Sequence, residues 1–555
     1  MERTLSLIRA ERSSLAVAVV YSIAIGLLSL ALPVAIQSLV NTVAFGSVLQ
    51  PMIVLTLLVA ASLAASAILT VLRVVVLETM QRRIFVRHAS DALDSLLRFR
   101  IGAMDQQHAP ELVNRFLDVT TVQKSATVLA VDGLTVLMQT LAGVALLAAY
   151  HPYLLVFDIL LISAILFILF ALGRNAVRTS IDESRAKYDV VAWLEEVARH
   201  SVGLRSESGA RVALDRTNEL VTVWLQDRAT HFRILLRQVI GTQALQAIAL
   251  SSLLGVGGYL VIGGELTLGQ LVAAELVVSV AVGSFSKFSK SLEIFYDLQA
   301  ALDKLEHLTK LPLERAGGEP SVRDAGPAIL QLQELTFGYD SQTPVIGNVS
   351  LDVPAGAKIA IHGRGAAGKS TLLDLIFGLR EAGAGRIILD GVDLRHLSLD
   401  AFRRQAMLVR GTEILPGTVF TNVALGTGAS PDAVRDALAA AGILQAVSAL
   451  PDGIQTVLTP SGRPLAPSQA LRLTFARAML HKPRLLLIDE ALDGIEDLTA
   501  DGPIVQTLFA PDSPWTLIVA TERSDLWPLC DHVYSMDKGA LQHNTDRRSG
   551  EVAAC

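Results

Sequence analysis

Cysteine is almost absent from this 555-residue chain: Cys530 and Cys555 are its only two. Two thiols near one end cannot frame a disulfide-stapled fold or a cysteine metal cluster, and they suit a reduced, cytosolic setting for that end. Charge is scarce as well. Asp, Glu, Lys and Arg make up 18% of the residues and hydrophobic residues 51%, whereas globular chains carry roughly 25% charged residues. This excludes a soluble multidomain enzyme and excludes disorder over most of the length, and a mean hydropathy of +0.47 points to a membrane protein. There is no basic excess either. With 47 Lys+Arg against 53 Asp+Glu the net charge is −6, which offers no electrostatic footprint for nucleic acid. The eleven histidines lack the paired spacing of a zinc site, which argues against a metal enzyme.

What the chain has instead is long uncharged runs. From Ser13 to Leu72 there is no Asp, Glu, Lys, Arg or His, and at about 20 residues per crossing this is room for two membrane helices. Spans are expected at 15–43, 51–77, 126–150, 152–173, 239–263 and 267–288. The first is too long for a cleaved signal peptide and is expected to remain in the mature chain. Arg3, Arg9 and Arg12 precede span one; Arg82, Arg83 and Arg87 follow span two; Arg174 and Arg178 follow span four; Lys287 and Lys290 close span six. The turns near Gly46, His151 and Gly264 carry no Lys or Arg, so the positive-inside rule places both termini in the cytoplasm. Between spans two and three, and between four and five, lie long polar segments of helical periodicity. They read as helical stems reaching into the cytoplasm, ending in contact regions near Pro110 to Phe116 and Ser201 to Arg211, or else as solvated loops. Glu275, about eight residues inside span six, is expensive at that depth unless partnered or facing water.

Composition changes after Leu311. The run Leu311 to Pro327, rich in Pro, Gly and charge, predicts a linker, dividing a membrane domain (1–310) from a second domain (329–555) across a linker at 311–328. The second domain alternates apolar strands (Leu330 to Phe337, Lys358 to His362, Arg484 to Asp489, Trp515 to Ala520) with helical stretches such as Ser370 to Leu379, which predicts an α/β fold with a largely parallel sheet. The strand Lys358 to His362 runs into Gly363-Arg364-Gly365-Ala366-Ala367-Gly368-Lys369-Ser370, followed by Thr371. This is G-x-x-x-x-G-K-[ST] between a strand and a helix, a phosphate-binding loop. Its backbone N–H groups can close around phosphate oxygens, Lys369 adds a point charge, and Ser370 can hold Mg²⁺. A second strand, Leu485-Leu486-Leu487-Ile488, delivers Asp489 toward the metal and Glu490 toward an attacking water, the two carboxylates that nucleotide hydrolysis requires. ATP and Mg²⁺ are therefore the expected ligands.

With these two motifs, Gly264-Glu265-Leu266-Thr267-Leu268-Gly269 before the last span, and Asn422 after Gly417-Thr418, essentially the whole chain resembles the ABC exporters of the half-transporter type. The family pattern is six α-helical membrane spans followed by one α/β P-loop nucleotide-binding domain. The spans look most like the protein and peptide secretion branch, though with about 14 residues ahead of span one no N-terminal cysteine peptidase is expected. The resemblance implies that Tyr339 stacks on adenine, the alternative being an aromatic of the strand core. It also implies a dimer that sandwiches two nucleotides, each between the phosphate loop of one chain and the signature of the other.

The resemblance has gaps. The family's Q-loop glutamine falls on Arg410, its LSGGQ signature on Leu465-Ala466-Pro467-Ser468-Gln469, its switch histidine on Glu522, and the D-loop run reads Asp493-Gly494-Ile495-Glu496. Ala466 lacks a hydroxyl and Pro467 lacks an N–H, so contacts across the dimer to a γ-phosphate are expected to weaken. Arg410 and Glu522 are expected either to pair, with Arg410 on Glu522 or on phosphate, or to face solvent. A homodimer would repeat each loss twice, so a heterodimer with a second half-transporter is favoured. The expectation is thus an ATP-driven export subunit of a bacterial inner membrane, among lipids and with a periplasmic adaptor as a further candidate partner; the alternative is a nucleotide-binding regulatory subunit with little turnover of its own.

Overall fold

A computed structural model describes residues 11–44, 49–104, 116–129, 133–309, 312–320, 325–340 and 343–544. Arg3, Arg9, the turn at Gly46, most of the Pro110 to Phe116 region and Cys555 lie outside them. The chain forms two compact units, one of Met1–Phe99 with Gln106–Pro312 and one of Arg100–Asp105 with Leu313–Cys555.

The first unit is helical. Helices α1 (Arg12–Ser29) and α2 (Ala31–Ala44) are separated at Leu30 because Pro33 has no N–H to return to Ser29; the Ser29 hydroxyl donates to the Gly26 carbonyl at 2.6 Å beside the break. Helix α3 (Leu49–Arg98) runs 50 residues, about 75 Å at 1.5 Å per residue, well beyond a hydrocarbon layer of about 30 Å. Then come α4 (Val119–Val128), α5 (Leu134–Tyr150), α6 (Pro152–Phe167), α7 (Ala176–Arg199), the 56-residue α8 (Glu207–Ile262) and α9 (Leu268–Thr309). Among the described residues four helices are long and apolar enough to cross a membrane, Arg12–Thr42, Met52–Arg98, Pro152–Leu172 and Glu207–Ile262; the shorter apolar helices Leu137–Tyr150 and Leu268–Val280 fall where spans three and six are expected.

The stem between spans four and five is a helical hairpin. A π-helical turn (Ile168–Leu172) and a left-handed Asn175 (φ 69°) separate α6 from α7, and α7 returns through a 3₁₀ turn at Gly203–Arg205 into α8. There the Ser206 hydroxyl accepts the Gly209 N–H at 3.1 Å and caps the helix, so the turn falls inside the expected Ser201 to Arg211 region. Glu275 is half-buried on α9. The deeper carboxylate is Asp158 on α6, 1% exposed, whose Oδ2 has no hydrogen-bond partner among the described residues. It is the one Asp, Glu, Lys, Arg or His between Pro152 and Gly173.

The second unit holds two main sheets and a two-stranded ribbon of β7 (Gly417–Thr418) and β8 (Val457–Leu458). An antiparallel sheet orders β2 (Ile346–Val353), β1 (Leu330–Phe337), β4 (Ala384–Leu389) and β5 (Val392–Asp393). A six-stranded sheet runs β12 (Ala540–His543), β11 (His532–Asp537), β3 (Lys358–His362), β10 (Thr516–Ala520), β9 (Leu485–Asp489), β6 (Ala406–Val409). From β11 to β6 every pairing is parallel. β9 and β10 are buried along their whole length, which is why they read as unbroken apolar runs. The edge strands β6 and β12, and β11 beside β12, are not among the strands expected from sequence, being short or partly exposed. The expected linker is partly tied down: Arg403 holds Glu314 through two bonds of 2.6 and 2.7 Å, Arg315 donates to the carbonyls of Leu394 and Arg395, and Glu319 bridges to Leu397.

Phe475, 0% exposed in the helix Pro467–His481, packs in the main core of this unit with Trp515. Phe475→Ala should cost about 3–5 kcal/mol, read as a lower urea midpoint for the unfolding step followed by tryptophan emission; an unchanged midpoint would mean that this core does not limit the unit's stability.

Candidate functional site

Four parallel strands end at one edge, and the sequence leaving each carries one part of the site, as expected for the carboxyl edge of an open α/β sheet. β3 leads into Gly363, β10 into Thr521-Glu522, β9 ends on Asp489 before Glu490, and β6 leads into Arg410. The loop after β3 is forced into its path. A Cβ on Gly363 would lie 2.2 Å from the Met536 carbonyl oxygen, and Gly368 sits at φ 106°, a region where side chains are strained. Gly368 opens the helix Lys369–Ile376, which we call α10. Arg364, Gly365 and Ala366 stay exposed while Ala367, Gly368 and Lys369 are buried. Beside them opens a cleft of ≈ 330 Å³ lined by Tyr339, Ala366, Lys369, Ser370, Thr371 and Glu490 among others.

Lys369, 5% exposed, is held on three sides. Its Nζ donates to the Gly363 carbonyl, to Glu522 Oε1 at 2.7 Å and to Glu490 Oε1 at 3.2 Å. Burial by itself would lower the lysine pKa, but the two carboxylates outweigh it and raise it. Burial likewise pushes the Glu522 carboxyl up, and Lys369 with the Gly363 N–H outweighs it and brings the pKa below the usual carboxylate range. Signs follow directly. The Glu522 contribution is present above its unfolded pKa and lost as pH falls through its lowered folded value; the Lys369 contribution is present below the usual lysine range and lost as pH rises beyond it. The pair is therefore intact across neutral pH. Glu490 adopts φ 54°, uncommon for a non-glycine residue and characteristic of functional positions.

The other half of the site is built on Asp489. Its Oδ1 accepts from the Ser370 hydroxyl at 3.0 Å and its Oδ2 from Arg410 Nε at 2.5 Å. Arg410 also reaches Asp374 Oδ1 at 2.7 Å and the Ser370 carbonyl at 3.2 Å. This corrects the expected pairing of Arg410 with Glu522: both side chains stay exposed to solvent, 40% and 56%, but each is bound to a different opposite charge. The sheet order β3-β10-β9-β6 is the reason, because Glu522 follows β10 and Arg410 follows β6, two strands away, or about 9.6 Å at 4.8 Å per strand. Each therefore finds the opposite charge next to it.

Tyr339 is 55% exposed, which corrects the reading of it as a core aromatic. Its hydroxyl lies 3.0 Å from Thr371 Oγ1 and the Arg380 guanidinium stands 4.7 Å from its ring centre. In the run expected to be the signature, Leu465 is buried, Ala466 and Pro467 are exposed, and Ser468 and Gln469 are half-buried. Ala466 is the N-cap of Pro467–His481 with no side-chain cap, the Gln469 side chain accepts the Ala466 N–H at 3.0 Å, and Pro467 takes the first helical position, where it fits sterically but donates nothing. One site residue escaped the sequence reading, and a second was named there only as the start of the D-loop run. Asp374 was recoverable as the residue four beyond Ser370 on the same helix face. Asp493 accepts from the Thr521 hydroxyl and from the Glu522 N–H, the latter at 3.1 Å, and so aims Glu522; no local signal marks that role.

A phosphate loop and a Ser–Asp pair at the carboxyl edge of a parallel sheet, in a chain with membrane-length helices, narrow the family sharply. Residues 15–285 match the family described as ABC transporter transmembrane region, and residues 346–493 match that described as ABC transporter. The chain belongs to the ABC transporters. It is 32% identical over 302 residues to a multidrug efflux ATP-binding/permease protein of Mycobacterium bovis, covering 54% of this chain and 25% of that protein; it thus spans about a quarter of that relative's length. A leukotoxin translocation ATP-binding protein of Mannheimia haemolytica is 24% identical over 530 residues, 94% of this chain and 74% of its own. The structure of a bacterial Atm1-family ABC exporter with ATP bound superposes with a TM-score of 0.83 at 20% identity, over 97% of this chain and 95% of that one, which shows a shared fold. This ABC transporter is a multi-pass membrane protein in which a helical transmembrane domain and an ABC-type ATPase domain share one chain.

Glu522→Gln should tighten nucleotide binding several-fold, because Lys369 loses a competing carboxylate while the volume is kept. Titration of the full-length chain with a fluorescent ATP analogue checks this; weaker binding would show that Glu522 helps rather than competes.

Proposed function

We propose that this ABC transporter is one half of a dimeric exporter of the bacterial inner membrane, with both termini cytoplasmic, that uses ATP binding and hydrolysis to move a peptide, protein or other substrate outward. The observation that carries this reading is the convergence of Lys369, Ser370 and Glu490 on one cleft, with the buried Asp489 bound to the Ser370 hydroxyl. In it Lys369 exchanges its carboxylate partners for phosphate oxygens, Glu490 orients and deprotonates the attacking water, and the exposed face of Tyr339 receives adenine. The hydroxyl of Ser370 and Oδ1 of Asp489 are hard oxygen donors of the kind magnesium takes, and these two would hold it. When bound, the ion supplies positive charge to the phosphate oxygens. Relatives named for toxin translocation and for multidrug efflux support the export direction and leave the substrate class open, and such a system would accept a periplasmic adaptor.

A heterodimer suits the signature Leu465-Ala466-Pro467-Ser468-Gln469 better than a homodimer. The exposed helix start at Ala466 and Pro467 offers no hydroxyl and one N–H fewer to a nucleotide held by a partner. A second reading, a regulatory subunit of low turnover, is favoured by one observation: Lys369 is already clamped by two carboxylates.

Lys369→Ala should abolish ATP binding, and retained affinity would overturn the site. The wild-type chain alone should hydrolyse ATP weakly and speed up when mixed with a half-transporter of intact signature. Losing preorganised donors to a phosphoryl-transfer site costs about 10²- to 10³-fold each, so Ala466→Ser with Pro467→Gly and Ser468→Gly should raise the rate of the chain alone. Brisk turnover by a demonstrated homodimer, abolished by Glu490→Gln, would overturn the heterodimer reading.

A further inference from the structure

Arg410 stands where a metal-binding carboxylate meets its neighbours. Its guanidinium bridges two carboxylates that are themselves out of water, Asp489 (3% exposed side chain, 2.5 Å) and Asp374 (8%, 2.7 Å), while Arg380 Nε supports Asp374 at 3.3 Å. A divalent ion gains affinity from carboxylate charge that nothing else has neutralised. On Asp489 that charge is already met by a fixed, permanently protonated group. The same group repels a second cation brought to Oδ1, a few ångströms away. Two effects follow from one side chain: the buried carboxylate is satisfied without a metal, and a metal adds less when it arrives. The arginine is also backed by its own bond to the Ser370 carbonyl at 3.2 Å, so it is seated on the phosphate-loop helix and not merely passing the carboxylate.

We infer that Arg410 is a resident cation of the nucleotide site, one that substitutes in part for magnesium and makes nucleotide binding by this chain largely independent of divalent metal. This rests on the reading of the loop Gly363 to Ser370 as the nucleotide site, and deepens it.

The test uses the full-length chain in lipid nanodiscs, titrated with a fluorescent ATP analogue in magnesium chloride and in excess EDTA. For the wild type the two affinities should agree within about threefold, for Arg410→Gln magnesium should tighten binding about tenfold or more, and Arg410→Lys, which keeps the charge, should stay near wild type. Magnesium alone, without nucleotide, should raise the thermal midpoint of Arg410→Gln and leave that of the wild type unmoved, a response that loss of a merely structural ion pair would not produce. Magnesium dependence as strong in the wild type as in Arg410→Gln, with binding otherwise intact, overturns the inference and leaves the site. No binding by the wild type in either condition overturns the phosphate-loop reading itself, and this inference with it.

Discussion

The order of four parallel strands is the constraint on which the site depends. β3, β10, β9 and β6 lie side by side and point the same way, so residues separated by as much as 159 positions, such as Gly363 and Glu522, meet within hydrogen-bond distance at one edge. The same order decides which charges can touch. Lysine, leaving the loop after β3, meets the residue after β10; the carboxylate ending β9 meets the residue after β6. Exchanging any two strands would leave the sequence motifs intact and the site chemically different.

Within that frame the two ion-pair systems have a common cause. Lys369 and Asp489 are each about 5% exposed, and a buried charge left without a partner is costly. Glu522 and Arg410 supply opposite charges at those two points, one negative and one positive, so together they add nothing to the local net charge while fixing where it sits. In the proposed function, ligand binding at such a site is an exchange of partners, in which phosphate takes over from carboxylates already in place. Asp493, by fixing Thr521 and Glu522, makes one of those carboxylates a preorganised competitor.

Much of this was legible in the sequence because the signals were local. Lys358 to His362 before a glycine-rich loop, and Leu485 to Asp489 before Glu490, combine a strand pattern with a chemical motif within a dozen residues, and the membrane helices announce themselves by the charges they lack. What was not legible is pairwise and non-local. Arg410 and Glu522 could be singled out as charges near the motifs, but their partners depend on strand order, which β6 and β10 do not display in their own residues. Asp158 was hidden differently, as one carboxylate inside an apolar run whose burial depends on which helices surround it. Tyr339 could have been core or surface by its sequence alone, and the turn after β1 decided it.

The 56-residue α8 contains no proline. A helix with an unbroken hydrogen-bond ladder bends little, and at 1.5 Å per residue this one is about 84 Å long, so a tilt of roughly 5° about one end moves the other by about 7 Å. Mechanically it is a stiff lever: small angular changes at its apolar end become displacements of several ångströms at the turn around Gly203–Arg205, and the gain is set by the number of residues in the helix. Shortening such a rod by whole turns would leave its packing face in register yet reduce its mechanical advantage in proportion.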